Sequence, residues 1–305
     1  TETWGHRMFT FWKETVENPN AIGDFVWTAM DYLGEAGGGF VSFDGVRPRG
    51  APFPWHTSGI GDFNICGFKR VQSYYRDLLW GMRTDPFIAV LDPQHFGKPM
   101  AFSPWAWEAV LDTWTFPGQE GKQCQVDVYS IDDEVELLVN GLSYGRKPAG
   151  AEVQNKASFD VEYQPGKIEA IGYKNGKETG KHQLVTTGQP ATLKLTSDRT
   201  HIETGYADLA FITLELMDQD GNLVKNRDVQ VEVEVEVEDR RPKTGRRSGD
   251  PPRAVIPTAS CLPSAPIELC RGLERGLAIY HVVRTQKWKS SRVFVLYCAM
   301  KSAGG

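Results

Sequence analysis

Between residues 125 and 176 the chain repeats one device, a short run of period-two hydrophobicity followed by a tight turn. Gln125 to Ser130 alternates, and Glu134 to Val139 alternates and runs into Asn140-Gly141. Phe159 to Tyr163 ends at Pro165-Gly166, and Ile168 to Tyr173 ends at Asn175-Gly176. Side chains on a strand point to opposite faces in turn, so this period marks sheets with one buried face. Asn-Gly supplies the two positive-φ residues of the hairpin turn whose twist suits antiparallel strands. Strands this closely spaced, closed by such turns, pack as a β-sandwich. The pattern takes over at Phe87, and 87–188 is read as one sandwich. A second begins near Gln189-Pro190 and is read over 189–305. Its strands are Ala191 to Thr196, Ala210 to Met217 and Val229 to Val237, with Asp218 to Asn222 as a turn.

Residues 1–86 follow other rules. Met8, Phe9, Phe11, Trp12 and Val16 fall at helical spacing and stop at Pro19. Val71, Tyr74, Tyr75, Leu78, Leu79 and Met82 form a second helical stripe, closed by the stretch from Gly81 to Pro86. Between them stands the apolar run Ile22 to Tyr32, flanked by Asn18-Pro19-Asn20 and Gly37-Gly38-Gly39. Its Phe25-Val26-Trp27-Thr28 centre favours a strand over a buried helix. A run of that length suits a strand buried on both faces, as in a parallel sheet or barrel. Gly34 to Trp55 is rich in Gly and Pro and has no period, so it reads as a long loop.

The net charge of −5 over 305 residues argues against nucleic acid as the main partner. No apolar run is long enough to span a membrane. Five cysteines at irregular spacing make a poor disulfide framework, and none has zinc-ligand spacing with a nearby His. No metal or cofactor is expected. After Asp239 the composition turns basic and Pro-rich as far as Pro266. That segment fits either an inserted loop or a disturbed coding frame over 239–275.

Glu2-Thr3-Trp4, Phe11-Trp12-Lys13, Glu17-Asn18-Pro19 and Gly23 to Glu35 resemble, in order and spacing, the end of the catalytic barrel of glycoside hydrolase family 2. The similarity continues to about residue 237. The resemblance implies a mixed architecture, with the C-terminal piece of a (β/α)8 barrel over 1–86 and two immunoglobulin-like sandwiches after it. It also implies a retaining β-glycosidase. Such an enzyme needs two carboxyl groups about 5–5.5 Å apart, one as nucleophile and one as acid/base.

Glu2 matches the family nucleophile, with Trp12 ten residues on and the Phe-Val-Trp strand beyond. The family's acid/base Glu follows an Asn on an earlier strand, and no Asn-Glu pair occurs in this sequence. The chain is therefore expected to be a C-terminal fragment, inactive by itself. Trp27 matches the Trp whose ring forms part of the sugar subsite, and that reading is favoured over a barrel-core Trp. Asp31, at the strand end, is a candidate to hold a sugar hydroxyl or orient a neighbour. His56, Asp62 and Asn64, on the loop before the second helix, are further substrate-binding candidates. Glu35 is expected to make a loop contact.

The β-glucuronidase branch carries Asn-x-Lys on this loop to clamp the sugar carboxylate. Here Asn64 is followed by Ile65 and Cys66, while Lys69 and Arg70 open the helix and are expected to face solvent. A neutral sugar is favoured, with β-galactosides first. The alternatives are a β-glucuronidase or another family 2 glycosidase, or a non-catalytic carbohydrate-binding or adhesion protein. Homo-oligomerisation and the cellular compartment stay open.

Overall fold

The computed structural model describes residues 2–198 apart from positions 49, 52 and 54, residues 211–227, and the backbone of 201–203, 253–255, 279–280 and 297–300. The chain parts into two units after Thr187.

The first unit opens with β1 (Glu2–Thr3), α1 (Met8–Glu17) and β2 (Phe25–Val26). β1 and β2 are parallel, with Glu2 opposite Phe25 and Thr3 opposite Val26. Parallel neighbours need a crossover, and α1 supplies it. The helix stops where Asn18 adopts an extended conformation, as a residue before proline must. The run from Ile22 to Tyr32 is less buried than its composition suggests. Phe25 is 76% exposed, Trp27 46% and Met30 49%. Among the described residues β1 is the only strand paired with β2, so one edge and much of both faces stay open.

The loop that follows carries three short strands, β3 (Tyr32–Leu33), β4 (Val41–Ser42) and β5 (Thr57–Ser58). β3 and β5 pair antiparallel. Next comes α2 (Val71–Leu79). Its stripe packs as expected through Val71, Tyr75 and Leu78, but Gln72, Ser73 and Arg76 are buried as well, on the flank facing the loop. Met82 lies beyond the helix and is exposed. Lys69 and Arg70 do not simply face solvent, since each is ion-paired, with Asp77 and Asp31 respectively.

The sandwich is built from β6 (Phe87–Leu91), β7 (Ala101–Phe102), β8 (Val110–Leu111), β9 (Gln123–Tyr129), β10 (Glu134–Val139), β11 (Leu142–Pro148), β12 (Lys156–Glu162), β13 (Lys167–Lys174) and β14 (Lys177–Val185). One sheet has the order β12-β9-β6-β8 and the other β11-β10-β13-β14, while β7 pairs with β4. Asn140-Gly141 and Asn175-Gly176 take positive φ throughout, as the hairpin turns require. Between the sheets lie Ile88, Val90, Trp114, Val126, Val128, Leu137 and Phe159. β6 is buried at all five positions. Ile88 and Val90 face the other sheet, and Phe87, Ala89 and Leu91 face Met8 of α1 and Val71, Tyr75 and Leu78 of α2. Tyr75 donates to the Gln154 carbonyl at 2.6 Å, and Tyr74 stacks on Phe87 at 4.2 Å. The helices are thus held on the outer face of the sandwich.

In the second unit β15 (Thr192–Ser197), β17 (Phe211–Met217), β19 (Ile279–Tyr280) and β20 (Tyr297–Met300) share one sheet. β16 (His201–Glu203) pairs with β18 (Arg253–Val255). Leu214, Leu216 and Val224 are buried, and Asp218 closes the expected turn by accepting from the backbone of Asp220 and Asn222. The expected strand 229–237 and most of 239–275 lie outside the described residues.

Candidate active site

Glu2 stands on β1, half-buried, with one carboxylate oxygen doubly held. Trp4 Nε1 donates to Oε1 at 3.0 Å, and Trp105 Nε1 donates to the same oxygen at 3.1 Å. The two indoles pack edge to face with centroids 5.8 Å apart. Among the described residues no hydrogen bond reaches Oε2. Two charge-assisted donors on one carboxylate oxygen restrict its rotation.

Trp105 is brought there by the stretch after β7. Ser103 donates its N–H to the Phe40 carbonyl at 3.0 Å, extending the β4–β7 pairing. The chain then turns, and the Ala106 N–H reaches the Ser103 carbonyl at 3.3 Å. Pro104 takes the second turn position and Trp105 the third, at φ 63°. Positive φ at the third position is that of a type II turn and normally belongs to Gly or Asn. A bulky residue there costs on the order of 1–2 kcal/mol and persists only when its surroundings fix it. The sequence reading missed Trp105; the available signal was two tryptophans in Ser103-Pro104-Trp105-Ala106-Trp107, a turn-forming stretch that offers no periodic place for them.

Trp27 follows β2, and its N–H donates to the Thr3 carbonyl at 3.3 Å, which sets it next to the end of β1. Its peptide bond to Thr28 is cis. The Tyr32 hydroxyl donates to the Glu35 carboxylate. Glu35 makes the loop contact expected of it and also lines a cavity of about 320 Å³. Gly37, Gly38, Ile60, Ser103 and Trp105 line the same cavity. Glu35 and Trp105 thus line one cavity, from which the Trp105 indole reaches Glu2.

The other candidates serve the frame. Asp31 is buried, and its carboxylate accepts the Gly61 N–H at 2.8 Å and Arg70 Nε at 2.9 Å. Its side chain thus bridges the strand end, Gly61 and Arg70. Burial pushes the Asp31 carboxyl above the usual carboxylate range, against the pull of Arg70 and of the Gly61 N–H. Asp62 is buried against Arg76 of α2, with Arg76 Nη2 at 3.2 Å and Nε closer. Burial raises its carboxyl too, with Arg76 opposing. Asn64 Oδ1 accepts the N–H of Cys66 at 3.0 Å and of Phe68 at 2.9 Å, which commits it to its own turn. His56 is exposed, and its carbonyl accepts the Gly34 N–H at 3.0 Å. Gly61 lets the loop lie against the strand end, since a Cβ there would stand 2.3 Å from the Asp31 nitrogen. Among the described residues no cluster of three or more His, Cys, Asp or Glu is placed to hold a metal.

Residues 193–241 match glycoside hydrolase family 2 C-terminal domain 5, and residues 121–180 match a domain of unknown function, DUF4982. A β-galactosidase of Bacteroides ovatus is 30% identical over 228 residues, 74% of this chain and 22% of that protein. A putative β-glucuronidase of Formosa agariphila is 31% identical over 215 residues, 70% of this chain and 18% of that protein. The crystal structure of a glycosyl hydrolase family 2 member from Bacteroides cellulosilyticus superposes with a TM-score of 0.65 at 33% identity, over 78% of this chain and 31% of that one. The chain spans about a fifth of the length of these two curated relatives. With a match to a family 2 C-terminal domain and relatives of that group aligned over about three quarters of its length, the chain fits a fragment of a glycoside hydrolase family 2 protein.

Proposed function

We propose that this chain supplies the nucleophile half of a retaining exo-β-glycosidase site, with Glu2 as nucleophile and terminal β-galactosides as the first choice of substrate. The observation that carries the reading is the carboxylate of Glu2, with Oε1 held by two indole N–H groups and Oε2 outside that grip. In this reading 1–86 closes the family's catalytic barrel, and the two downstream sandwiches are immunoglobulin-like. Exposed Phe25, Trp27 and Met30 then belong to a strand that packs against the rest of such a barrel.

Glu2 Oε2 attacks the anomeric carbon while the bond to the leaving oxygen breaks. That oxygen takes a proton from a second carboxylic acid, and a glycosyl ester forms on Glu2. Water then attacks the anomeric carbon, gives its proton to the second carboxylate, and frees Glu2. The second carboxyl is assigned to a part of the enzyme outside these 305 residues, since the sequence has no Asn-Glu pair. Trp27 covers the apolar face of the sugar. Asp31, Asp62 and Asn64 hold the loop in place and do not touch substrate.

Lys69 and Arg70 support a neutral sugar. Both are engaged with aspartates, and a glucuronide carboxylate would need a cation of its own. One relative is named a β-galactosidase and another a putative β-glucuronidase, so relatedness leaves that choice to the loop. A non-catalytic carbohydrate-binding protein would give the doubly held Glu2 no task. The test is a 2-fluoro glycoside with a good leaving group, incubated with the full-length protein and followed by peptide mapping. Glu2 is expected to carry the sugar; a label on any other carboxylate refutes the assignment.

A further inference from the structure

Three residues past Trp105 the chain is fastened to the sandwich. Glu108 Oε1 accepts from Lys156 Nζ at 2.6 Å, and the same ammonium stands 3.7 Å from Asp127 Oδ2. Lys156 lies on β12 and Asp127 on β9, neighbouring strands of one sheet. Asp127 is fully buried, and its Oδ1 accepts from Ser158 Oγ at 2.6 Å and from Gln125 Nε2 at 3.1 Å, which fixes this end of the clamp. Between Trp105 and Glu108, Ala106 is buried and Trp107 packs on Tyr75 and Tyr129, with ring centroids 5.3 and 6.2 Å away. Trp105 sits at φ 63°, a conformation that a bulky residue keeps only where its surroundings hold it. On one side the hydrogen bond from Ser103 to Phe40 holds the turn, and on the other Trp107 and Glu108 do.

We propose that Glu108, clamped by Lys156, is a positioning residue for the reaction: it holds the strained turn from which the Trp105 N–H orients the Glu2 carboxylate. This rests on the reading of Glu2 as nucleophile. Lys156 and Asp127 fall within residues 121–180, the stretch matched to a domain of unknown function. The inference gives that stretch a task in catalysis, as the platform on which a donor to the nucleophile is mounted. Hydrogen bonds weaken steeply as their geometry departs from linear, and a misplacement of about 1 Å from a change far from the chemistry costs up to about a hundredfold in rate. A clamp three residues from Trp105 is near enough to set that geometry and touches neither Glu2 nor the cavity beside it.

The test is steady-state kinetics of the full-length protein on the nitrophenyl β-glycoside it turns over fastest. Rates are taken per site labelled by a 2-fluoro glycoside, which removes misfolded protein from the count. Trp105→Phe keeps a ring and removes the N–H, and kcat is expected to fall about tenfold or more with KM little changed. Glu108→Ala removes the tether while Lys156 keeps Asp127 as a partner, so no charge is left alone. It is expected to lower kcat about fivefold, again with KM little changed. Glu108→Gln keeps an acceptor for Lys156 and is expected to recover most of that loss. Because Glu108 acts through Trp105, the double variant of Glu108→Ala and Trp105→Phe should be no slower than Trp105→Phe alone. An unchanged kcat in Glu108→Ala, losses that multiply in the double variant, or a Glu108→Gln as slow as Glu108→Ala overturns the inference. The two readings fail distinguishably. A label on a carboxylate other than Glu2 overturns both, whereas labelled Glu2 with multiplying losses overturns the tether alone.

Discussion

Trp105 and Glu2 are 103 residues apart in the chain and 3.1 Å apart in space, joined by an indole N–H on a carboxylate oxygen. The link ties the stretch entering the sandwich to the first strand. It makes the orientation of Glu2 depend on residues far beyond the family motif that identifies it.

Glu2→Gln in the full-length protein keeps the shape and the acceptor oxygen for both indoles but removes the attacking charge. The expected result is a loss of kcat by about three orders of magnitude or more with KM little changed. Steady-state kinetics on a nitrophenyl β-galactoside would measure it. A variant within tenfold of the parent would mean that Glu2 is not the nucleophile.

Matched nitrophenyl β-galactoside and β-glucuronide should separate by kcat/KM in favour of the galactoside. The reason is that Lys69 and Arg70, the cations of the last loop, are already paired with Asp77 and Asp31. A higher value for the glucuronide would show that a cation from elsewhere reaches the sugar.

Asp62→Ala should be among the costly substitutions in the first unit. Its removal leaves Arg76, whose side chain is 5% exposed, buried and unpaired. Such losses run to about 3–5 kcal/mol, whereas replacing both partners by leucine should recover most of that. Urea unfolding of the two variants gives both numbers. Equal stability of the single and double variants would exclude the uncompensated charge as the cause.

Gly61→Ala tests the close approach of the loop to the strand end. A Cβ would meet the Asp31 nitrogen at 2.3 Å and the Met30 carbonyl carbon at 2.5 Å, so backbone must move. The expected destabilisation is about 1–3 kcal/mol, with the Asp31–Gly61 hydrogen bond weakened. A melting temperature unchanged from the parent would argue that the loop stands further off.

Glu108 should make stability fall as pH rises. Burial first, then the nearby Asp127 charge, push its carboxyl above the usual range, while Lys156 at 2.6 Å pulls the other way. The folded chain then keeps a proton that the unfolded chain has released. Stability tied to that proton is complete below the unfolded value, about 4.3, and is lost as pH climbs through the raised folded value. Glu108→Gln mimics the protonated acid and should gain on the parent over that climb. Denaturant titrations at stepped pH would follow it, and a constant difference between the two proteins across pH would contradict the shift.

The strands and turns of the first sandwich and the two helices were legible in the sequence because their signals are local. Asn140-Gly141 needs only its own φ angles, and an alternating run carries its buried face within itself. The helix ends were legible to within a few residues for the same reason, as with Asn18-Pro19. The family to which the motif around Glu2 points was legible as a resemblance. What each charged side chain does was not. Asp31, Asp62 and Asn64 have the residue types of a binding loop, yet Arg70, Arg76 and the backbone of Cys66 and Phe68 occupy them, and only the folded chain brings those partners within reach. The run from Ile22 to Tyr32 reads as a buried strand by composition, but burial depends on how many neighbours a sheet supplies, and β2 pairs with one. The partner of Trp105 was not legible, although its place in a turn-forming stretch was. Its position in space is set by the β4–β7 pairing and by an acceptor 103 residues away, neither of which its neighbours in sequence encode.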